Sequence, residues 1–565
     1  MPGAEQAHWD EVDGRCLVQP PLLIWNIVLP MLFLLIFALG CSTSSMRTND
    51  ADGVVKSDSG LGLGGDSGGA GPEDTGPGTE DCEDCPPSTA SATLAIESSL
   101  LTTNSERTQN NPLKGFMTSY LWGAPATDFS DQMEFLYLPM TELWDETGET
   151  LETGLEPHLL AAEARGHHAV VRVFIDYPSR ESGLPTHLED IVPCSPYTDH
   201  GGGCSPDYNH PALLDAMLGL ISALGERYDG DRRLGFVQVG LLGFWGEWHT
   251  YPHTDWFPTN LTQTAVLDAF DGAFEVTQVQ VRRAAANAVD LRMGFHDDSF
   301  AHSTLGEIDW FFLPGLESAG AAERWQSVAI GGELRPELQS SVFSDGYSLG
   351  TYAQDIGECI DQTHASYLLN YYAFNGDGHG YLGADRDRAD AAAVQLGYQF
   401  ELIAASATAS GLTDQTIELS LQIELSQTGV APFYYPLFLS VESPAWEASA
   451  TSGVDLQELM PGEHRVVSFD LGRVPVGTLN EPIELILESP MLVEGQRLLM
   501  ATDTPWSTPT GPTVLQWEVS CDDDDTVYTL GDIAGTTADG CDCLCDADGL
   551  LRACGGEACG PAVTP

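Results

Sequence analysis

The sequence predicts an α/β TIM (β/α)8 barrel followed by an all-β antiparallel sandwich, with a disordered N-terminal tether and a small Cys-rich tail. Three observations predict it. Between Asn111 and Gly376 short apolar runs alternate with amphipathic stretches. From Gly397 to Val519 the apolar period falls to two, and both ends of the chain are Gly-, Asp- or Cys-rich with few aromatics. At 565 residues the chain exceeds one ordinary core, so more than one domain is expected.

The barrel strands are read from "KGFMTSY", "EFLYLPM", "AVVRVFID", "FVQVGLLGF", "LRMGF", "IDWFFLP", "SVAIGG" and "YLLNYYAF". Near-continuous apolar runs suit parallel strands buried on both faces. Between them, "PALLDAMLGLISALGERY" places Leu214, Met217, Leu218, Ile221 and Leu224 on one helical face with Pro211 opening it, and "PHLLAAEARG" starts at Pro157 and stops at Gly166. Eight strands with helical or long connectors are the TIM-barrel signature. An open doubly wound sheet is the rival, but no Gly-rich phosphate loop follows the first strand. In the second domain "TIELSLQIEL" puts Ile417, Leu419, Leu421 and Ile423 on one side, as a half-buried antiparallel strand requires.

The ends carry the address. Leu17–Gly40 is almost wholly apolar, long enough to span a bilayer, and ends at Cys41. Its "ALGC" close resembles a bacterial lipoprotein signal, with Cys41 as the lipidated residue; a single N-terminal membrane helix is the alternative. The divisions expected are a leader (1–41), a linker (42–92), the barrel (93–392), the sandwich (393–520) and an acidic Cys-rich tail (521–565). "CSPYTDHGGGC" reads as a loop closed by a Cys194–Cys204 disulfide, and Cys359 as the free thiol. Both readings agree with export to the cell envelope.

Net charge is −62, and the only lysines are Lys56 and Lys114. Such a surface repels nucleic acid and anionic membranes, so no nucleic-acid partner is expected and membrane contact is left to the N-terminal anchor. Oligomeric state is not legible. No metal-ligand spacing such as HExxH occurs, and neither metal nor cofactor is expected.

In a parallel barrel the residues at the strands' C-terminal ends share one mouth. Those positions hold Lys114, Arg172, Trp245, Glu247, Trp248, His249, His296, Asp297, Asp298, Glu333, Asn370, Tyr372 and Asn375. Carboxylates among aromatic and amide side chains suit sugars, whose C–H faces stack on rings while their hydroxyls bond to acids and amides. Duller readings stand beside this one: Asp176 and Glu317 as loop or cap residues, Asp297 and Asp298 as helix caps, and Glu247 in an ion pair with Arg172. Glu247, set between two tryptophans, and Glu333, after a Gly-Gly pair, are the candidate catalytic pair.

"NPLKGF" (Asn111–Phe116), "GLLGFWGEWHT" (Gly240–Thr250), "HDDSF" (His296–Phe300), "GGEL" (Gly331–Leu334) and "LGYQFEL" (Leu396–Leu402) resemble the glycosidase-like family of bacterial exported proteins classed as a domain of unknown function. The resemblance covers roughly Asn111 to Val519. It implies a glycoside-hydrolase-type barrel followed by a β-sandwich, with an acid/base Glu after the fourth strand and a nucleophile Glu after the seventh. By position these are Glu247 and Glu333. Barrel glycosidases usually carry Asn-Glu at the fourth strand, where this chain has Gly246-Glu247. The function expected is an exported, retaining glycoside hydrolase acting on polysaccharide or glycan; a non-catalytic glycan-binding surface protein and a structural envelope protein are the alternatives.

Overall fold

The computed structural model describes residues 88–375, 380–413, 415–446, 449–517 and five short strands between 520 and 552. Leu17–Gly40, Cys41, the linker up to 87 and most of the Cys-rich tail lie outside the described residues. Among the described residues no helix is long and apolar enough to cross a membrane.

Eight parallel strands form the first domain: β1 Gly115–Met117, β2 Met133–Pro139, β3 His168–Phe174, β4 Leu234–Gln238, β5 Gln278–Val281, β6 Gly294–Phe300, β7 Ile330–Leu334 and β8 Tyr367–Leu369. They pair in chain order, β8 pairs with β1, and a parallel bridge from Thr118 to Glu134 joins β1 to β2 and closes the barrel. Side chains alternate as strand geometry demands. Leu136, Leu138, Val171, Val173 and Val237 pack outward with the helices. Phe135, Val170, Phe174, Phe236, Tyr367 and Leu369 belong to a separate cluster, filling the interior.

Two of the eight strands differ from the sequence reading. "IDWFFLP" is not a strand: Phe312–Ser318 is a short helix whose Pro314 and Leu316 are buried against the barrel. The fifth strand is instead "QVQV", only four residues long and half polar, because Gln280 is a buried interior residue. The sixth strand takes in "HDDS", so Asp297 and Asp298 are strand residues and not helix caps. Pro157 lies inside its helix, which already starts at Thr150; Gly166 follows the helix end with φ +77°, as expected of a stop signal.

The second domain is two antiparallel four-stranded sheets. Phe400–Ser410, Thr416–Gln427 and His464–Pro475 form one with Ser91–Ala95, so the first described strand lies in this sandwich, ahead of the barrel. Residues 91–95, assigned above to the linker and barrel, therefore belong to the sandwich sheet. Ile417, Leu419, Leu421 and Ile423 are all buried on one face, the period-two pattern realised.

The two domains meet at the barrel's N-terminal end. Lys114 precedes β1 and donates from Nζ to the carbonyls of Val394 and Tyr398 at 2.8 and 3.0 Å. Asn111 exchanges two hydrogen bonds with the backbone of Leu499, each 2.9 Å. The "NPLKGF" motif thus ties the barrel to the segments that follow it. Lys114 stands at the end opposite the mouth, which removes it from the candidate site.

Candidate active site

The barrel interior carries a polar layer below its C-terminal mouth. Arg172 of β3 is fully buried; its Nε donates to Gln238 Oε1 at 2.8 Å and its Nη2 to Asp298 Oδ1 at 2.7 Å. Gln238 reaches the Tyr367 hydroxyl at 3.2 Å, and that hydroxyl donates to Gln280. Gly331 makes room for this bridge, since a Cβ there would stand 2.3 Å from the Tyr367 ring. His296 Nδ1 lies 3.0 Å from Asp298 Oδ1 and 3.2 Å from Arg172 Nη2. Strands β3, β4, β5, β6 and β8 are thereby tied together by charge-assisted and neutral hydrogen bonds.

The charges follow from this geometry. Burial alone would raise the Asp298 carboxyl, but Arg172, His296 and Arg282 hold it well below the usual carboxylate range. Burial likewise opposes the Arg172 charge, and Asp298, Tyr137 and Glu247 outweigh it, so the guanidinium stays ionised. Burial lowers His296 more than Asp298 raises it, so its pKa falls below the usual histidine value.

Glu247 sits above this layer in a coiled loop after β4. Leu241, Gly243, Trp245, Gly246 and Trp248 all have positive φ, between 55° and 81°. Non-glycine residues in that region cost free energy and persist only where surrounding structure enforces them, commonly at functional sites. Gly246 has φ +65°, and a Cβ there would lie 3.1 Å from both Gly240 Cα and Val173 O, so an asparagine at this position would be strained. The loop is pinned from the side: Trp245 N donates to Asp176 O at 2.8 Å, and Tyr197 OH donates to Asp176 Oδ1 at 2.5 Å. Tyr197 lies on the hairpin closed by the Cys194–Cys204 disulfide and packs on Phe244 at 4.7 Å. Asp176 is accordingly a loop-holding residue.

The tryptophans do not enclose Glu247 in an apolar pocket. Trp248 is 2% exposed, and its indole donates to Val239 O at 2.7 Å, so it belongs to the core and not to a sugar platform. Only Trp245 is accessible, ringed by His200, Phe244 and His249. The neighbours of the Glu247 carboxylate are basic. Arg282 Nη1 lies 2.6 Å from Oε2, His249 Nε2 3.5 Å from Oε2, and Arg172 Nη1 3.8 Å from Oε1.

Glu333 of β7 is the opposite case. Its side chain is part-exposed, and among the described residues its carboxyl has no hydrogen bond or ion pair. Burial among protein atoms, with Asp298 and Glu247 nearby, pushes its pKa well above the usual carboxylate range; Arg172 opposes this only in part. The two glutamates therefore share one electrostatic neighbourhood, and Tyr177 feels both.

The remaining candidates divide. Arg172, Trp245, His249, His296 and Asp298 are brought together with Glu247. Asp297 faces the other side of β6, where Thr304 and the Ser299 amide donate to it at 2.7 and 2.9 Å, because neighbouring strand residues point opposite ways. Asn370 is fully buried behind Tyr381, whose hydroxyl lies 3.2 Å from its Oδ1. Tyr372 packs on the outer core beside Tyr381. Asn375 donates to Tyr371 on its own short helix. Sequence reasoning missed Tyr137, Gln238, Gln280, Arg282 and Tyr367. The inward glutamines of "FVQV" and "QVQV" were the available signal, since a polar residue repeated at period two in a buried strand marks a polar interior. Among the described residues no group of three or more His, Cys, Asp or Glu is placed to hold a metal ion.

No family model matches the sequence, and no curated protein matches it significantly. Among solved structures the chain is similar to endo-glycoceramidase II from Rhodococcus sp. in an iminocyclitol complex, at 14% identity, covering 65% of this chain and 96% of that one, with a TM-score of 0.33. It is also similar to a β-glucanase from Saccharophagus degradans, at 9% identity, with 56% and 96% covered and a TM-score of 0.29. A third is endoglucanase Cel5A of Pseudomonas stutzeri, at 12% identity, with 38% and 64% covered and a TM-score of 0.22. At such identities and TM-scores nothing about those enzymes' substrates or residues transfers to this chain.

Proposed function

We propose that the protein is a glycoside hydrolase-like barrel acting on extracellular polysaccharide or glycan, with Glu247 and Glu333 as its working carboxyls. One observation carries the reading: two acidic side chains at one barrel mouth have opposite surroundings. Glu247 is paired with a guanidinium at 2.6 Å, while Glu333 is unpartnered and raised. Environments that separate two carboxyls in this way divide the acid from the ionised partner. Glu333 then protonates the glycosidic oxygen as the C–O bond breaks. Glu247, held by Arg282 at 2.6 Å, attacks the anomeric carbon, and water resolves the glycosyl ester with Glu333 now acting as base. These roles are the reverse of those implied by the family resemblance.

A binding-only role is favoured by one feature, the double hold of Arg282 on Glu247. The two readings part on a panel of aryl glycosides and plant, algal and bacterial polysaccharides: turnover lost in Glu247→Gln and Glu333→Gln supports catalysis, and glycan retention without turnover supports binding. Placement at the bacterial cell envelope, anchored through Cys41 or through Leu17–Gly40 as a helix, is supported by the apolar leader and by the Cys194–Cys204 disulfide.

A further inference from the structure

Among the described arginines between residues 88 and 396, Arg180 and Arg283 are the two whose guanidinium groups make no hydrogen bond or ion pair within the chain. Both follow the C-terminal ends of barrel strands, Arg180 after β3 and Arg283 after β5. Arg283 is solvent-exposed, yet it is set among protein atoms closely enough that burial lowers its pKa to about 10, with Arg282 adding to the shift. Glu247, Asp298 and Asp297 act on Arg283 through space, but none reaches ion-pair distance. Arg180 lies 4.2 Å over the ring of Tyr177, the residue that also feels Glu247 and Glu333.

We infer that the mouth receives an anionic saccharide, a sugar bearing a carboxylate or a sulfate, with Arg283 as its counter-ion and Arg180 as a second cation at the rim. The inference rests on the glycan reading above and names its substrate class. Arg172 is paired with Asp298 and Arg282 with Glu247, at 2.7 and 2.6 Å, so a neutral sugar would leave Arg180 and Arg283 as an unmatched excess. The acidic surface elsewhere does not cancel it, because charges beyond about 8 Å are largely screened at physiological ionic strength. A guanidinium fork meets a carboxylate or sulfate through two parallel hydrogen bonds, which gives orientation as well as attraction.

The experiment uses the full chain carrying Glu333→Gln, so that turnover does not obscure binding, and measures retention on immobilised polysaccharides in matched pairs. Polygalacturonate and glucuronan are set beside their carboxyl-reduced forms, and a sulfated galactan beside its desulfated form. The expected result is binding to the charged member of a pair, weakened roughly ten- to hundred-fold by Arg283→Gln and partly restored by Arg283→Lys. The pair that responds tells carboxylate from sulfate. Equal binding to charged and neutral members, or no loss in Arg283→Gln, overturns the inference and leaves the glycan reading intact. Binding to neither member of any pair overturns both.

Discussion

Arg282 Nη1 lies 2.6 Å from Glu247 Oε2 and donates to the Glu247 backbone carbonyl at 3.1 Å, so one guanidinium nitrogen fixes both the side chain and the loop that carries it. The same arginine brings Nε to 3.5 Å from Asp298 Oδ2. It therefore couples the loop after β4 to the buried charge layer of β3 and β6. Arg282→Met is expected to cost about 1–3 kcal/mol of stability, since a part-buried carboxylate loses its partner. Thermal melting checks this; an unchanged melting temperature would mean that solvent replaces the guanidinium freely.

The two tryptophans beside Glu247 are expected to behave differently. Trp248→Ala opens the core and should destabilise the protein by about 3–5 kcal/mol. Trp245→Ala removes an accessible ring and should leave the fold intact while weakening glycan retention. Chemical denaturation together with retention on polysaccharide separates these effects. Equal destabilisation in both variants would contradict the division.

Much of the barrel was legible because parallel strands are apolar on both faces, so "EFLYLPM" and "AVVRVFID" announce themselves. The same rule misled at "IDWFFLP", where Pro314 and Leu316 are apolar for burial in a helix, and at "QVQV", where interior glutamines hid a strand. The placement of Glu247 after the fourth strand and of Glu333 in the seventh was legible from the apolar runs before them. Arg282 was not, because its partner lies 35 residues away and no local pattern links them. Asp297 and Asp298 looked equivalent in sequence; the pleat sends one into the barrel and the other to Thr304.

Burial pushes the Asp297 carboxyl up to about 7, against its hydrogen bonds from Thr304 and Ser299. The unfolded chain ionises this group near pH 4, so the stability its burial allows is complete below that pH and is lost as pH rises to about 7. The slope from one such group is at most about 1.4 kcal/mol per pH unit. Asp297→Asn should flatten the decline between pH 4 and 7, with Glu333, raised in the same sense, supplying what remains. Denaturation midpoints across that range check the sign; a decline equally steep in the variant would show that Asp297 titrates normally.

The Cys194–Cys204 bond closes a short hairpin, 10 residues in separation, that seats Tyr197 on Asp176 and Phe244. Replacing both cysteines by serine should cost roughly 2–3 kcal/mol through the freer unfolded chain. Tyr197→Phe should cost less in stability than the double serine variant while still loosening the Glu247 loop, seen as faster amide exchange over residues 241–248. Exchange unchanged from the parent would detach the hairpin from the site.

The central claim, that Glu333 donates the proton and Glu247 is the ionised partner, is tested most directly by leaving-group dependence. On 2,4-dinitrophenyl glycosides, whose leaving group departs without protonation, Glu333→Gln should keep glycosyl-transfer activity that it loses on unactivated glycans, and Glu247→Gln should lose both. The opposite pattern, with Glu247→Gln spared on the activated substrate and Glu333→Gln inactive on both, would contradict the account.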